Sequence, residues 1–313
     1  LQGKIFGAVV SGADLHSLSD GEWEQIEHAF NEYALLVFPG QFLNGGAQAA
    51  LARRFGELEF EKSPMTNHLK DSPRPFGLKT DMMKLNLGNE FWHTDSTYQP
   101  ISAQAGLLSA RTLPPSGGGT EFADMRAAYD ALDAATKERI AELSAYHSNE
   151  YSQANDLGHF PPVGFNDRIY HGDAFLRPLV KVHPATGRRS LLIGRHAFGI
   201  PGLGREESRS LLQRLLVDAC GREVARYEHR WRAGDLLVWD NRCLMHRARP
   251  YDYKEGRRTL VGSRVLGDVR SEAALPPPAP DAGRRALQEE LRLLREERTP
   301  SDGHRGPALR AAL

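Results

Sequence analysis

The chain predicts an all-β sandwich or barrel with helices packed on its outside. Three features carry that reading. Short apolar and β-branched runs bounded by Gly and Pro recur along the chain. Helical periodicity is confined to a few segments, and strands and helices do not alternate as they do in a parallel α/β sheet.

Taken in order, residues 5–10 form a β-branched run closed by Ser11-Gly12, which predicts a first strand. Ser19 and Glu22 have capping-box spacing, and Trp23, Ile26, Phe30 and Tyr33 follow at helical intervals, so a helix is expected over about 20–32. Residues 34–38 are continuously apolar and stop at Pro39-Gly40, as a strand buried on both faces would. A helix over about 46–55 ends at Gly56. From 57 to 83 periodicity vanishes, and Pro64, Pro73 and Pro75 interrupt the stretch; it reads as a lid or as a solvated insertion. Strands are expected over 104–112 and 120–123, followed by helices over 124–131 and 134–145. Residues 151–170 are polar and aromatic without a period, a second candidate pocket wall. Residues 177–183 and 190–193 read as a strand pair about Pro184-Ala185-Thr186-Gly187, and 206–219 as a helix with Glu206 and Glu207 in its first turn. The last strands fall over 224–231, 235–239 and 257–266. Beyond Gly267 a Pro-rich linker leads to a charged segment, 283–298, with Leu287, Leu291 and Leu294 on one helical face. It is expected to pack on the body or on a second subunit, or else to be a disordered tail.

Composition narrows the function. Forty basic residues balance forty acidic ones, so no net field favours nucleic acid or an anionic membrane. Cys220 and Cys243 are too few for a disulfide framework, which fits a reducing compartment. No apolar run is long enough to span a bilayer and no signal pattern opens the chain, so a soluble cytoplasmic protein is expected.

The chemistry centres on G-N-E-F-W-H-T-D-S-T-Y, Gly88 to Tyr98. His93 and Asp95 are two apart and share a face if the backbone is extended. An imidazole and a carboxylate are two thirds of the two-His, one-carboxylate set that binds non-haem Fe(II). Alone this spacing is weak. Downstream, the buried run Leu236-Leu237-Val238-Trp239 ends in Asp240-Asn241-Arg242 and leads to His246, a polar cluster that is costly to bury unless something uses it. After it, Arg258, Leu260, Gly262 and Arg264 share one strand face. An inward arginine needs an anion, and its planar fork suits a dicarboxylate cosubstrate. Surface arginines on an edge strand are the alternative, and a β-bulge would exchange Arg257 for Arg258.

Together H-x-D, G-G-T-x-F-x-D-M (Gly118 to Met125), V-W-D-N-R-x-x-x-H and the basic strand resemble the TauD/TfdA family. These are Fe(II)- and 2-oxoglutarate-dependent dioxygenases on a double-stranded β-helix, or jelly roll, and the resemblance covers about residues 1–267. It implies a fold that is mainly β with flanking helices. The dioxygenase domain would span 1–269, with a linker and helical extension over 270–313. It also implies His93, Asp95 and His246 as iron ligands, Thr120 and Arg258 as 2-oxoglutarate contacts, and O2 as the other cosubstrate. The family's second arginine usually lies four residues after the first. That place is Gly262 here, and Arg264 stands two further on as a substitute.

Asp81-Met82-Met83-Lys84, residues 122–133, Tyr151-Ser152-Gln153 and L-L-I-G-R-H-A (191–197) look most like the aryloxyalkanoate branch, which acts on 2,4-D and (S)-2-phenoxypropionate. Oxidation alpha to the ether oxygen would release a phenol, an oxoacid, succinate and CO2. Lys84, Arg195 and Arg264 are candidates for the substrate carboxylate, with Asn89 and His196 as hydrogen-bonding partners. Met82, Phe91 and Tyr98 are candidates for the aryl wall. The expected partner is a small anionic aromatic molecule, and a homo-oligomer is the expected assembly. The alternatives are another anionic substrate, such as an alkyl sulfate or sulfonate, or a non-catalytic jelly-roll binding protein.

Overall fold

The structure, a computed structural model, describes residues 1–298 apart from residues 2, 70, 71 and 73. Pro73 within the expected lid, and residues 299–313 of the extension, therefore lie outside the described residues. In chain order the elements begin with β1 (Ala8–Val9), α1 (Asp20–Tyr33), β2 (Leu35–Phe38), α2 (Gly45–Phe55), β3 (Leu58–Thr66), α3 (Asp81–Gly88), β4 (Ala103–Thr112) and β5 (Thr120–Asp124). They continue with α4 (Met125–Asp130), α5 (Ala134–Ile140), β6 (Ser144–His147), α6 (Asn149–Leu157), α7 (Asp167–Tyr170), β7 (Phe175–Pro178), β8 (Val180–Val182), β9 (Arg189–Leu191) and β10 (Ala197–Phe198). Last come α8 (Arg205–Gly221), β11 (Arg226–His229), β12 (Leu236–Asp240), β13 (Leu244–Ala248), β14 (Thr259–Leu266), α9 (Val269–Glu272) and α10 (Ala282–Arg298).

A six-stranded sheet, β1-β2-β12-β4-β14-β3, faces a three-stranded sheet, β11-β5-β13, in the jelly-roll arrangement. Side-chain alternation explains the apolar runs. Leu35, Val37, Leu237 and Trp239 point between the sheets toward Phe122 and Leu244. Leu36, Phe38, Leu236 and Val238 point outward under Trp23, Ile26, Phe30 and Leu51 of the covering helices. Both faces of the central strands are thus buried, and α1 opens with the expected Ser19–Glu22 capping box.

Several expectations need correction. The first strand is only two residues long. The stretch 57–83 is not structureless: β3 pairs with β14 at the sheet edge, where Pro64 opposite Val261 leaves no inner hydrogen bond unmade. Residues 151–170 contain α6 and α7, and β6 and β13 were not anticipated. His93 and Asp95 do not share a strand. His93 makes an isolated antiparallel bridge to His246, and Asp95 lies in the turn that follows.

The change of composition after Gly267 is not a change of packing. Glu272 is buried, paired with Lys181 and bonded through its carbonyl to Arg177. Leu287, Leu291 and Leu294 of α10 pack against Tyr146, Tyr151, Ala154 and Phe198, so the helix docks on the body.

Candidate metal centre and cosubstrate cavity

β12 carries the chain through the interior to a tight turn at Asp240–Cys243, and β13 then places His246 opposite Phe122 of β5. Two backbone hydrogen bonds bind His93 to His246, N to O at 3.0 Å and 2.8 Å, so the imidazoles lie side by side with ring centres 4.3 Å apart. Asn241 draws in the third group: it accepts from the Asp95 N–H through Oδ1 and donates through Nδ2 to Asp95 Oδ2, both at 3.3 Å. The ligand-type atoms of His93, Asp95 and His246 all lie within 4.8 Å of one another, and all three residues are buried.

The electrostatics suit a divalent metal. Burial pushes the His93 imidazole down to about 3, and burial lowers His246 as well, so both rings are neutral with a free lone pair at neutral pH. His93 Nδ1 lies 2.8 Å from Phe91 O, which can only accept, so the proton is on Nδ1 and Nε2 carries the lone pair. Burial works against the charge on Asp95, but Arg264, helped by the Asn241 hydrogen bond, holds its carboxyl below the usual range. Two neutral imidazoles and one carboxylate are a donor set that fits Fe(II).

A second cluster, His183, Asp240 and Cys243, is equally compact but closed. Asp240 accepts from Arg242 N, Nε and Nη2 at 2.9, 2.8 and 2.6 Å and from His183 Nε2 at 2.9 Å, and His183 Nδ1 accepts from two backbone N–H groups. Cys243 Sγ donates to Asp240 O at 3.9 Å, so the three side chains are already partnered within the protein.

The triad opens on a cavity of about 70 Å³ that also reaches Thr120, Asn89, Arg258 and Arg264. Arg258 is 8% exposed while Arg257 is on the surface, which separates the two. Arg258 Nε donates to Gly118 O at 2.8 Å, and among the described residues no carboxylate pairs with the guanidinium. Gly118 has φ +68°, and a Cβ there would meet Arg258 Cδ at 3.1 Å, so the G-G-T segment is glycine where the arginine passes. Thr120 Oγ1 accepts from Trp231 Nε1 at 3.0 Å on the same wall.

The remaining candidates divide. Arg195 Nε is paired with Asp156 at 2.8 Å and Nη1 with Gly88 O, but Nη2 is buried with no hydrogen-bond partner. His196 shares a hydrogen bond with Ser152 Oγ at 3.0 Å and packs edge-on to His93 and Tyr98. Arg264 lines the cavity, and its Nη2 donates to Asp95 Oδ1. Lys84, 3.9 Å from Asp81, and the exposed Met82 are not on the cavity wall, and neither are Arg195, His196 and Tyr98; of the substrate candidates Asn89 and Arg264 line it. Phe91 stacks under Arg195 rather than lining the cavity. Sequence reasoning missed Asn241, Asp156 and Glu59 as parts of the site. Asn241 sat inside a quoted motif, whereas nothing local distinguishes the other two.

Comparison with known proteins gives a consistent picture. A sequence model described as "Taurine catabolism dioxygenase TauD, TfdA family" matches residues 1–264. The (S)-phenoxypropionate/alpha-ketoglutarate-dioxygenase of Sphingobium herbicidovorans is 50% identical over 275 residues, 86% of this chain and 95% of that one. The alpha-ketoglutarate-dependent 2,4-dichlorophenoxyacetate dioxygenase of Cupriavidus pinatubonensis is 37% identical over 296 residues, 85% of this chain and 96% of that one. The crystal structure of AAD-2 in complex with Mn(II) and N-oxalylglycine superposes with a TM-score of 0.80 at 38% identity, over 87% of this chain and 97% of that one.

Proposed function

Because the chain belongs to the TauD/TfdA family of dioxygenases, we propose that its substrate is an aryloxyalkanoate such as 2,4-D or (S)-2-phenoxypropionate. The chain is an oxidoreductase, and its family uses Fe(II), 2-oxoglutarate and O2. The substrate would be hydroxylated at the carbon alpha to the ether oxygen. The resulting hemiacetal collapses to a phenol and an oxoacid.

When bound, Fe(II) with 2-oxoglutarate supplies the oxidising power, O2 being consumed as 2-oxoglutarate is converted to succinate and CO2. His93, Asp95 and His246 would hold the metal. Arg258 would pair with the distal carboxylate of 2-oxoglutarate, assisted by Thr120. The observation that carries this reading is a buried arginine with no carboxylate partner among the described residues, in one small cavity with a two-His, one-carboxylate cluster. Arg195 Nη2, Asn89 and His196 would receive the substrate carboxylate. Of the cations considered, Arg195 is favoured over Lys84 because its buried Nη2 lacks a partner. The protein's part is to orient the C–H bond and keep water out.

Anaerobic addition of Fe(II) and 2-oxoglutarate to the apoprotein, followed by a phenoxyacetate, tests the proposal. A weak visible charge-transfer band that shifts with the phenoxy acid is expected. A band indifferent to the phenoxy acid would redirect the substrate to another anion, and no band with iron bound would end the reading. Self-association belongs to the same reading, and sedimentation of the full chain as a monomer would remove it.

A further inference from the structure

Arg264 lies where a cation beside the cavity would be taken for a second receptor of a bound carboxylate. Its surroundings give it a different task. The side chain is 13% exposed and sits between two protein carboxylates. Nη2 donates to Asp95 Oδ1 at 2.6 Å, and Nη1 lies 4.0 Å from Glu59 Oε1 and donates to Ser96 Oγ at 3.1 Å. Ser96 Oγ in turn donates to Glu59 Oε2 at 2.7 Å, and the ring of Phe60 covers the guanidinium at 4.8 Å.

Two details make this an anchor for Asp95. The first is how the carboxylate is divided. Arg264 takes Oδ1, whereas Oδ2 receives the longer Asn241 bond and faces His246 Nε2 at 3.8 Å. One oxygen is held outward and the other is presented to the imidazoles, so rotation of the carboxylate is blocked. The second is the backbone. Ser96 has φ +55°, a left-handed conformation uncommon for a residue with a side chain, and its Oγ is fixed at both ends by Glu59 and Arg264. The turn that aims Asp95 is therefore held by the same three residues. β14 delivers Arg264 to this place through a register irregularity against β3 between Gly262 and Arg264.

We propose that Arg264 is a positioning residue that fixes Asp95 as a one-oxygen metal ligand, with Glu59 and Ser96 holding the arginine, and that it is not a receptor for 2-oxoglutarate. This rests on the reading of His93, Asp95 and His246 as the metal ligands.

The test separates metal affinity from cosubstrate affinity in the full-length chain. Free Mn(II) is followed by electron paramagnetic resonance during titration, and 2-oxoglutarate binding is then measured by calorimetry on Mn(II)-saturated protein. Arg264→Met is expected to raise the Mn(II) Kd about 10- to 100-fold, the range for loss of a group that orients a metal ligand, while the 2-oxoglutarate Kd moves by less than about 3-fold. Arg258→Met is expected to show the reverse. Arg264→Lys should recover part of the Mn(II) affinity, since an ammonium reaches Asp95 but cannot bond Ser96 in the same planar geometry. Glu59→Gln should weaken Mn(II) binding several-fold without touching a proposed ligand, and it decides the question if Arg264→Met does not fold. An unchanged or tighter Mn(II) Kd in Arg264→Met, or in Glu59→Gln when that variant decides, overturns the proposal. So does a loss in Arg264→Met confined to 2-oxoglutarate. If the unaltered protein fails to bind Mn(II), the ligand reading falls and takes this inference with it; binding by the unaltered protein confines a failure to Arg264.

Discussion

Asp240 is buried and ionised six residues before His246 of β13. Burial opposes its charge, but Arg242 and His183 surround it and hold the carboxyl well below the usual carboxylate range. Its unfolded counterpart takes up a proton near pH 4 while the folded one does not. The stabilisation is therefore whole above about pH 4–5 and is lost as pH falls toward the folded value. Asp240→Asn should cost about 3–5 kcal/mol at neutral pH, because it leaves Arg242 buried without a counter-ion. It should also flatten the decline in stability below about pH 4, a profile read by urea denaturation across pH. The same residues explain why one compact His/Asp/Cys cluster is structural while the other is open to a ligand. In the first, protein donors occupy every carboxylate lone-pair direction. In the second, the histidine lone pairs converge beside a cavity.

Between elements, the contact of β4 with β12 reaches the candidate metal centre. Gly106 faces the indole of Trp239, and a Cβ at this position would lie 2.2 Å from the ring. Trp239 Nε1 donates to Asn241 Oδ1 at 3.0 Å, and Asn241 holds Asp95. Gly106→Ala should destabilise the fold by about 1–3 kcal/mol through overpacking. It should also weaken Mn(II) binding, since the indole must move and Asn241 moves with it. An unchanged metal affinity in a destabilised variant would show that Asn241 is held by other contacts. α6 has a comparable role on the opposite side of the site. Its Ser152 and Asp156 reach His196 and Arg195, so a segment with no visible period in sequence holds two of the candidate substrate-binding side chains.

At the scale of the whole molecule, α10 extends the body beyond the residues matched by the family, 1–264. It caps the hydrophobic side of α6 with Leu287, Leu291 and Leu294, and Arg298 donates to Asn155 O near the C-terminal end of that helix. Leu291→Ala should cost about 2–5 kcal/mol, and ending the chain at Leu275 should lower the melting temperature further, both read by thermal and urea unfolding. A tail resting loosely on the surface would give neither effect. The sequence alone was enough for the buried central strands, α1, α2 and α8, and the pairing of β8 with β9. In each, the apolar period or the cap is written into neighbouring residues. It also singled out His93, Asp95 and His246 as candidates through two motifs, although the shared strand face expected of His93 and Asp95 does not form. It could not reveal β3, whose polar residues and Pro64 satisfy an edge position only through β14. Nor could it choose Arg258 over Arg257, find Asn241, Asp156 and Glu59, or see that Arg264 faces Asp95. Those depend on which strand lies opposite, on a bulge that shifts register, and on carboxylates distant in sequence. Burial and pairing across the chain are set by tertiary packing, and that is what turned a list of ligand-type residues into a site.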